Sequence, residues 1–153
     1  MIISFGWTAD LLPPNGCKDT TRRYWSDRTL QSWKNAIDFY PTEWHFAFNK
    51  MPFAQGAKQI GLIRPIAMPY REPLRLLTKE EVAREGRPDL LSADDPVEAF
   101  IKEYFWKPKK SWDRDRRDAE WRSLLDSEPV VFRFEFRSLV SGAIVQARWQ
   151  KFL

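Results

Sequence analysis

The clearest alternation of apolar and polar positions in the chain lies near residues 129–138, in the stretch PVVFRFEFRSL. Its inward face is predicted to be entirely apolar: Val130, Phe132, Phe134 and Phe136. Arg133, Glu135 and Arg137 fall on the other face, and this period of two is typical of a half-buried strand. Shorter runs of the same kind predict three further core strands, at residues 2–5, 43–48 and 59–67.

The predicted strand at residues 43–48 lies in EWHFAFN, where aromatic residues alternate with smaller or polar ones. We expect Trp44, Phe46 and Phe48 to face the core, because alternate side chains share one face of a strand. His45 then points the opposite way. We interpret it as a surface or hydrogen-bonded histidine rather than a catalytic one.

Three segments carry residues that are typical of the start of a short helix, and one of them also carries a stop signal. Ser26 is a candidate N-cap for a helix whose apolar residues recur at helical spacing. Thr78 precedes KEEVAREG, where a glutamate at the third helical position and Gly86 after the last turn are start and stop signals. Asp95 and Pro96 predict the start of a third helix, since proline is favoured at the first helical position.

The predicted strands and short helices alternate irregularly along 153 residues. This arrangement indicates one α+β domain built around a small barrel or sheet. The stretch GAIVQARWQ near the C-terminus is a candidate hairpin partner for the strand before it. We find no internal repeat and no low-complexity linker that would divide the chain.

Composition narrows the class of protein further. Hydrophobic residues make up 43% of the chain and charged residues 30%, which is typical of a globular domain. The net charge of +4 arises in residues 1–77, where ten Lys and Arg accompany six Asp and Glu. One cysteine and one histidine leave no intramolecular disulfide, and we expect neither a metal nor a cofactor. Without a signal-like start or a membrane span, we expect a cytoplasmic protein.

The stretch GCKDTTRR at residues 16–23, followed by Tyr24 and Trp25, has the composition of a binding loop. Its cations and hydroxyls suit a phosphate or a nucleobase edge, and aromatic rings stack on bases. We therefore predict a loop whose nucleic-acid-binding residues are Arg22, Arg23, Tyr24 and Trp25. An ordinary solvated turn, with Trp25 or Tyr24 as a hydrophobic anchor, is the alternative. Cys17 has no expected role.

The pattern Gly16-x-Lys18-x-x-Thr21-x-Arg23 resembles the signature of ASCH domains, which belong to the PUA-like superfamily. Three later blocks continue the resemblance in the right order: IGLIRPIAMPYREPL, TKEEVAREG and PVVFRFEF. The likeness covers residues 1–138, and residues 139–153 form a C-terminal extension that can add a strand. The chain departs from the family at YPTEW, where a Gly-Asp turn is usual, and in its long charged segment at 106–122.

The resemblance implies a PUA-like small mixed β-barrel with short surrounding helices. It also implies a cleft at the Lys-Thr-Arg loop that binds RNA or a modified nucleoside. One branch of the family consists of N4-acetylcytidine amidohydrolases, whose catalytic lysine, threonine and glutamate match Lys18, Thr21 and Glu85. Other hypotheses for the function stay open: a ribonuclease, a protein that recognises modified bases in DNA, or a non-catalytic protein-interaction module.

Amide hydrolysis can be checked against the chemistry of these residue types. A threonine hydroxyl needs a base, and a lysine serves as one only if burial or a nearby cation lowers its pKa. Glu85 can orient that lysine or relay a proton to the leaving amine. The alternative is a plain Lys18–Glu85 ion pair with Thr21 in a turn.

For residues 106–122 two interpretations stay open: a solvated charged segment, or a basic-aromatic rim that contacts phosphates.

Overall fold

A computed structural model describes residues 1–12 and 16–138, which contain six strands and four α-helices. The strands are Ile2–Ser4 (β1), Thr20–Arg23 (β2), His45–Phe48 (β3), Gln59–Pro65 (β4), Tyr70–Arg71 (β5) and Val130–Ser138 (β6). The helices are Asp27–Phe39 (α1), Lys79–Arg84 (α2), Pro96–Tyr104 (α3) and Arg114–Asp126 (α4). Short 3-10 helices span Gly6–Leu11, Leu74–Leu76 and Pro88–Ser92. The candidate hairpin partner near the C-terminus falls outside the described residues.

Strand β6 organises the sheet, whose order is β1-β3-β4-β6-β2. The N-terminal part of β6 pairs with β2 and β5, because Val131 lies opposite both Arg22 and Tyr70. Its C-terminal part pairs antiparallel with β4, and β1 joins β3 in parallel at the far edge. The sheet curls into a half-barrel, which confirms a mixed α and β fold compatible with a small barrel and helices.

The predicted faces are confirmed in β6 and wrong in β3. Phe132 and Phe134 are fully buried in β6, as the alternation predicted. In β3 the buried residues are His45 and Ala47, whereas Phe46 and Phe48 are only half-buried. Helix α1 accounts for this inversion, because its Trp33 ring packs edge-on against the His45 imidazole, 5.1 Å between centroids.

Trp44 lies on the opposite side of the sheet from His45, where two arginines cover it. The guanidinium of Arg137 lies 4.3 Å from the indole centroid and that of Arg64 lies 5.1 Å from it. Cation–π contacts of this kind let an aromatic side chain stay stable outside the core. His45 is hydrogen-bonded instead, with its Nδ1 2.9 Å from the N-terminal amine of Met1.

The predicted helix starts are confirmed. The Ser26 hydroxyl accepts a hydrogen bond at the start of α1, and Asp95 does the same for α3, which has Pro96 at its first position. Thr78 and Glu81 form a complete capping box at the start of α2. Within the described residues, no helix combines the length and the apolar character that crossing a bilayer requires.

Two hydrophobic clusters support the fold, one beneath the sheet and one among the helices. The sheet cluster consists of Ile3, Phe5, Leu12, Trp33, Ala47, Ile63, Phe132 and Phe134. The helical cluster consists of Leu74, Leu77, Val82, Phe100 and Ile101. One cavity is lined both by Phe5 from the first cluster and by Phe100 from the second, so it lies where the two clusters meet.

Candidate functional site

The predicted binding loop is only partly a loop, because its second half forms β2. Thr20 to Arg23 pair antiparallel with Arg133 to Val130 of β6. The expectation of a loop was wrong because β2 buries polar side chains, which carry no apolar alternation for a sequence pattern to show. The first half stays irregular, and the Lys18 amide donates to the Leu11 carbonyl over 2.9 Å.

Lys18 and Glu85 form a buried ion pair beside this strand. The Lys18 ammonium donates to Glu85 Oε2 over 2.7 Å and to the Glu85 carbonyl over 2.9 Å. Lys18 is 1% exposed and Glu85 2%, so both charges are out of water. Burial lowers the pKa of Lys18, although the Glu85 carboxylate opposes this shift.

Gly86 permits the close approach of these two segments. Its φ is +90°, a conformation that glycine adopts without steric cost. A Cβ built on Gly86 would lie 2.8 Å from Leu11 Cβ and 2.9 Å from Lys18 Cβ. The glycine predicted as a helix stop therefore also lets the Lys18 segment pack against the end of α2.

Arg22 is held by three carboxylates. Its Nη2 lies 2.8 Å from Glu81 and 3.1 Å from Glu72, and its Nη1 lies 3.2 Å from Glu85. Burial alone would lower the pKa of Arg22, but attraction to Glu85 and Glu81 outweighs it and raises that pKa. The buried Arg22 guanidinium is thus committed to internal ion pairs.

Arg23 differs from its neighbour because no carboxylate of the described residues pairs with it. Its Nε is buried and makes no hydrogen bond to any described residue. The guanidinium lies 5.5 Å from the centroid of the Phe5 ring. Burial lowers the pKa of Arg23, with Glu85 opposing, but an arginine stays charged at neutral pH.

The charges around this network do not cancel. Glu81 is shared, since the Arg133 guanidinium also contacts it at 3.3 Å. Four cationic side chains therefore surround three carboxylates, which leaves one positive charge; the groups are Lys18, Arg22, Arg23, Arg133, Glu72, Glu81 and Glu85. The excess charge is best assigned to Arg23, which lines the cavity without an ion-pair partner among the described residues.

The cavity has a volume of about 180 Å³ and joins polar groups to aromatic walls. Lys18, Thr21, Arg22, Arg23 and Glu85 line one part of it, and Phe5, Thr8, Phe100, Tyr104 and Phe105 line the rest. The Thr21 hydroxyl forms no hydrogen bond with any described residue. At roughly 30 Å³ per water molecule, the space equals about six waters, which suits a single small ring with its substituents.

Aromatic residues of α3 form one wall of this cavity. Phe100 and Tyr104 stack with their centroids 4.5 Å apart. Arg87 donates a hydrogen bond to the Tyr104 hydroxyl over 3.2 Å. Burial raises the pKa of Tyr104, and the contact with Arg87 opposes this rise.

Tyr24 and Trp25 point to different surroundings. The Trp25 ring stacks on Trp33 at 5.9 Å and packs against the sheet cluster. Tyr24 is 55% exposed, and its ring meets Phe105 edge-on at 5.8 Å. Trp25 therefore anchors the strand, whereas Tyr24 lies beside the cavity wall where a ligand can reach it.

The site contains residues that the sequence reasoning did not place there. Glu72 and Glu81 bind Arg22, and Phe100, Tyr104 and Phe105 form the aromatic wall. Phe100 and Tyr104 are four positions apart, a spacing that puts both on the same side of α3. No local signal connects Glu72 with Arg22, because fifty residues separate them.

No protein-family model, no curated protein and no solved structure matches this chain. Membership of the ASCH family therefore stays a prediction based on the motif. No cluster of His, Cys, Asp and Glu suited to a metal ion occurs in residues 1–12 and 16–138.

Proposed function

We propose that this protein is an ASCH-type, PUA-like module that binds RNA, or a nucleotide portion of it, in the cavity beside β2. The observation that carries the proposal is Arg23, a half-buried arginine whose Nε is buried and unbonded and which has no ion pair among the described residues. A half-buried cation without an ion-pair partner gains stability when a ligand supplies an acceptor. A nucleotide phosphate or base carbonyl supplies the missing acceptor.

The remaining lining residues suit the rest of a nucleotide. The half-buried rings of Tyr104 and Phe105 offer apolar and stacking surface, and such surface is worth about 1–3 kcal/mol per base. The Thr21 hydroxyl can donate to, or accept from, a base edge. The excess of one positive charge around the network suits a ligand with one phosphate rather than a long phosphate chain.

The test compares Arg23→Gln with the wild type in binding and in stability. Nucleoside monophosphates and short single-stranded RNAs are titrated at several salt concentrations. Loss of a charge-assisted hydrogen bond of about 1.5–3 kcal/mol should weaken binding roughly 10- to 150-fold. The salt dependence should be shallow, because few phosphates are neutralised. Removal of a half-buried charge that has no ion-pair partner among the described residues should leave the free energy of unfolding equal or higher.

Arg64→Gln is the matched control, since Arg64 pairs with Glu135 on the surface of the sheet. It should bind like the wild type. Equal affinity of Arg23→Gln and wild type, or no binding of any RNA at low salt, would refute the proposal. Tighter binding of duplex DNA with a methylated base would assign the cavity to a flipped DNA base instead.

A second candidate function is hydrolysis of the acetyl amide of N4-acetylcytidine. It is supported by the lining of one cavity with Lys18, Thr21 and Glu85, and by the burial that lowers the pKa of Lys18. In this reaction the carbon–nitrogen bond of the amide breaks, water adds to the acyl carbon, and the N4 amine takes a proton. We rank it second because the Lys18 ammonium donates to Glu85, and not to Thr21, among the described residues.

This activity is tested by following release of cytidine from N4-acetylcytidine. Thr21→Val should lower turnover by about 10²-fold or more, which is typical of acid–base and nucleophilic groups. Thr20→Val is the control, since the Thr20 hydroxyl is bonded to Asp19 over 2.9 Å. No product at high protein concentration, or equal turnover of wild type and Thr21→Val, would leave a binding protein.

A further inference from the structure

A second cavity adjoins the first and shares Phe105 with it. Its volume is about 300 Å³. Besides Phe105, its lining consists of Trp106, Lys107, Trp112, Glu120, Ser123, Leu124 and Ser127. The two cavities therefore meet at Phe105, close enough for neighbouring parts of one ligand to occupy both.

Two indole rings dominate this second cavity. Trp106 and Trp112 lie 6.3 Å apart between centroids, with planes inclined at 57°. Trp106 is supported from behind by Trp121, which meets it edge-on at 5.2 Å. Arg116 lies over the Trp112 ring at 5.4 Å. Both lining indoles are half-buried, so their ring surface is only partly used by the fold.

The segment that carries these rings is basic. Residues 106–112 read WKPKKSW, with three lysines and no acidic residue between the tryptophans. Lys107, Lys109 and Lys110 are exposed, and none forms an ion pair with another described residue. Cations alternating with aromatic rings are typical of surfaces that follow the backbone of a single-stranded nucleic acid.

We propose that the second cavity binds the nucleotide next to the one held at Arg23, so that the ligand is a single strand of at least two nucleotides. The adjacent base stacks on Trp112, and Lys107 contacts the connecting phosphate. This inference rests on the proposed function of the first cavity and makes its substrate an oligonucleotide rather than a free nucleoside.

The experiment measures the dissociation constants of oligocytidylate and oligouridylate of one, two, four and six nucleotides. The wild type should bind the dinucleotide about 5- to 150-fold more tightly than the mononucleotide, as expected for one added stacked base. Trp112→Ala should abolish most of this gain and leave affinity for the mononucleotide unchanged. Lys107→Ala should lower the slope of log affinity against log salt by about 0.7, the value for one phosphate contact of a single strand.

Trp44→Ala and Lys58→Ala are the matched controls, since neither residue lines either cavity. Both should preserve the length dependence and the salt slope. Mononucleotide binding without a gain from the second nucleotide would overturn this inference and leave the proposed function intact. Absence of binding at any length would remove both. Binding of a trimethyl-lysine peptide that oligonucleotides do not displace would assign the aromatic cavity to protein recognition and also overturn the inference.

Discussion

Glu85→Gln is the substitution that tests the buried network most directly. Glu85 Oε2 lies 2.7 Å from Lys18 Nζ, and its Oε1 lies 3.2 Å from Arg22 Nη1. Glutamine keeps the volume of the side chain and removes its charge. Arg22 retains Glu72 and Glu81 as partners, but Lys18 loses the one carboxylate that neutralises it among the described residues. The effect therefore falls mainly on Lys18.

The loss of unfolding free energy in Glu85→Gln can be estimated in two ways. Removal of one partner from a buried ion pair typically lowers the free energy of unfolding by about 3–5 kcal/mol. Lys18 can instead fold as the neutral amine, and discharging a lysine of pKa about 10.4 at pH 7 costs about 5 kcal/mol at about 1.4 kcal/mol per pH unit. This second value is an upper limit on the loss of unfolding free energy. If keeping Lys18 charged costs more than this, the protein folds with Lys18 as the neutral amine.

The pH dependence has a definite sign. Without Glu85, the folded-state pKa of Lys18 falls further below its unfolded value, so the unfolded chain binds more protons between the two. The destabilisation is complete below the folded pKa and is relieved as the pH rises toward about 10.4. The gap between Glu85→Gln and wild type should therefore narrow as the pH rises from 7 toward about 10.4.

Urea unfolding followed by tryptophan fluorescence measures this gap, and the fully buried Trp33 makes the signal sensitive to unfolding. Glu72→Gln is the matched control, since Arg22 keeps two carboxylates and does not deprotonate in this range. It should cost about 1 kcal/mol at every pH. A gap below about 1 kcal/mol for Glu85→Gln, or one that stays constant from pH 7 to about pH 10, would refute the reasoning.

Two further predictions concern the elements that position the network. Gly86→Ala should destabilise the protein by about 2 kcal/mol or more, because the new Cβ meets Leu11 and Lys18 below 3.0 Å at a positive φ. Gly6→Ala is its control in urea unfolding, with positive φ but open space, and an equal loss would contradict the role of the contact. Thr78→Ala should cost about 1 kcal/mol of unfolding free energy through loss of the helix cap, whereas Thr78→Ser should not. If Thr78→Ser lowered the free energy of unfolding as much as Thr78→Ala, the result would contradict that explanation.

Helix ends and the longer strands were predictable because their signals are local. The capping residues of α1, α2 and α3 are within three positions of the groups they bind. The alternation in β6 likewise lies within one segment. The predicted buried face was confirmed because that face of the strand packs on the core. For β3, alternation gave a strand but the wrong face, since Trp33 of α1 decides which side is covered.

The candidate site was harder to predict because its partners are distant in sequence. Lys18 and Glu85 are 67 residues apart, and only the family resemblance brought them together beforehand. Neighbouring arginines also received different roles that sequence could not distinguish. Arg22 is bound by three carboxylates from later elements, while Arg23, one position further along β2, has no ion pair among the described residues.

The state of Lys18 separates a binding role from a catalytic one. A protonated lysine has no acceptor, so it cannot take a proton from Thr21 while its ammonium donates to Glu85. If Lys18 acts as the base, its neutral form is required, and turnover of N4-acetylcytidine should rise with pH through the pKa that burial lowers. Arg23 stays charged and contributes no pH dependence to nucleotide binding, but loss of the Lys18 charge in the same cavity should weaken phosphate binding over the pH range in which turnover rises. A rate that is flat with pH, measured beside an affinity that is also flat, would exclude Lys18 as the base.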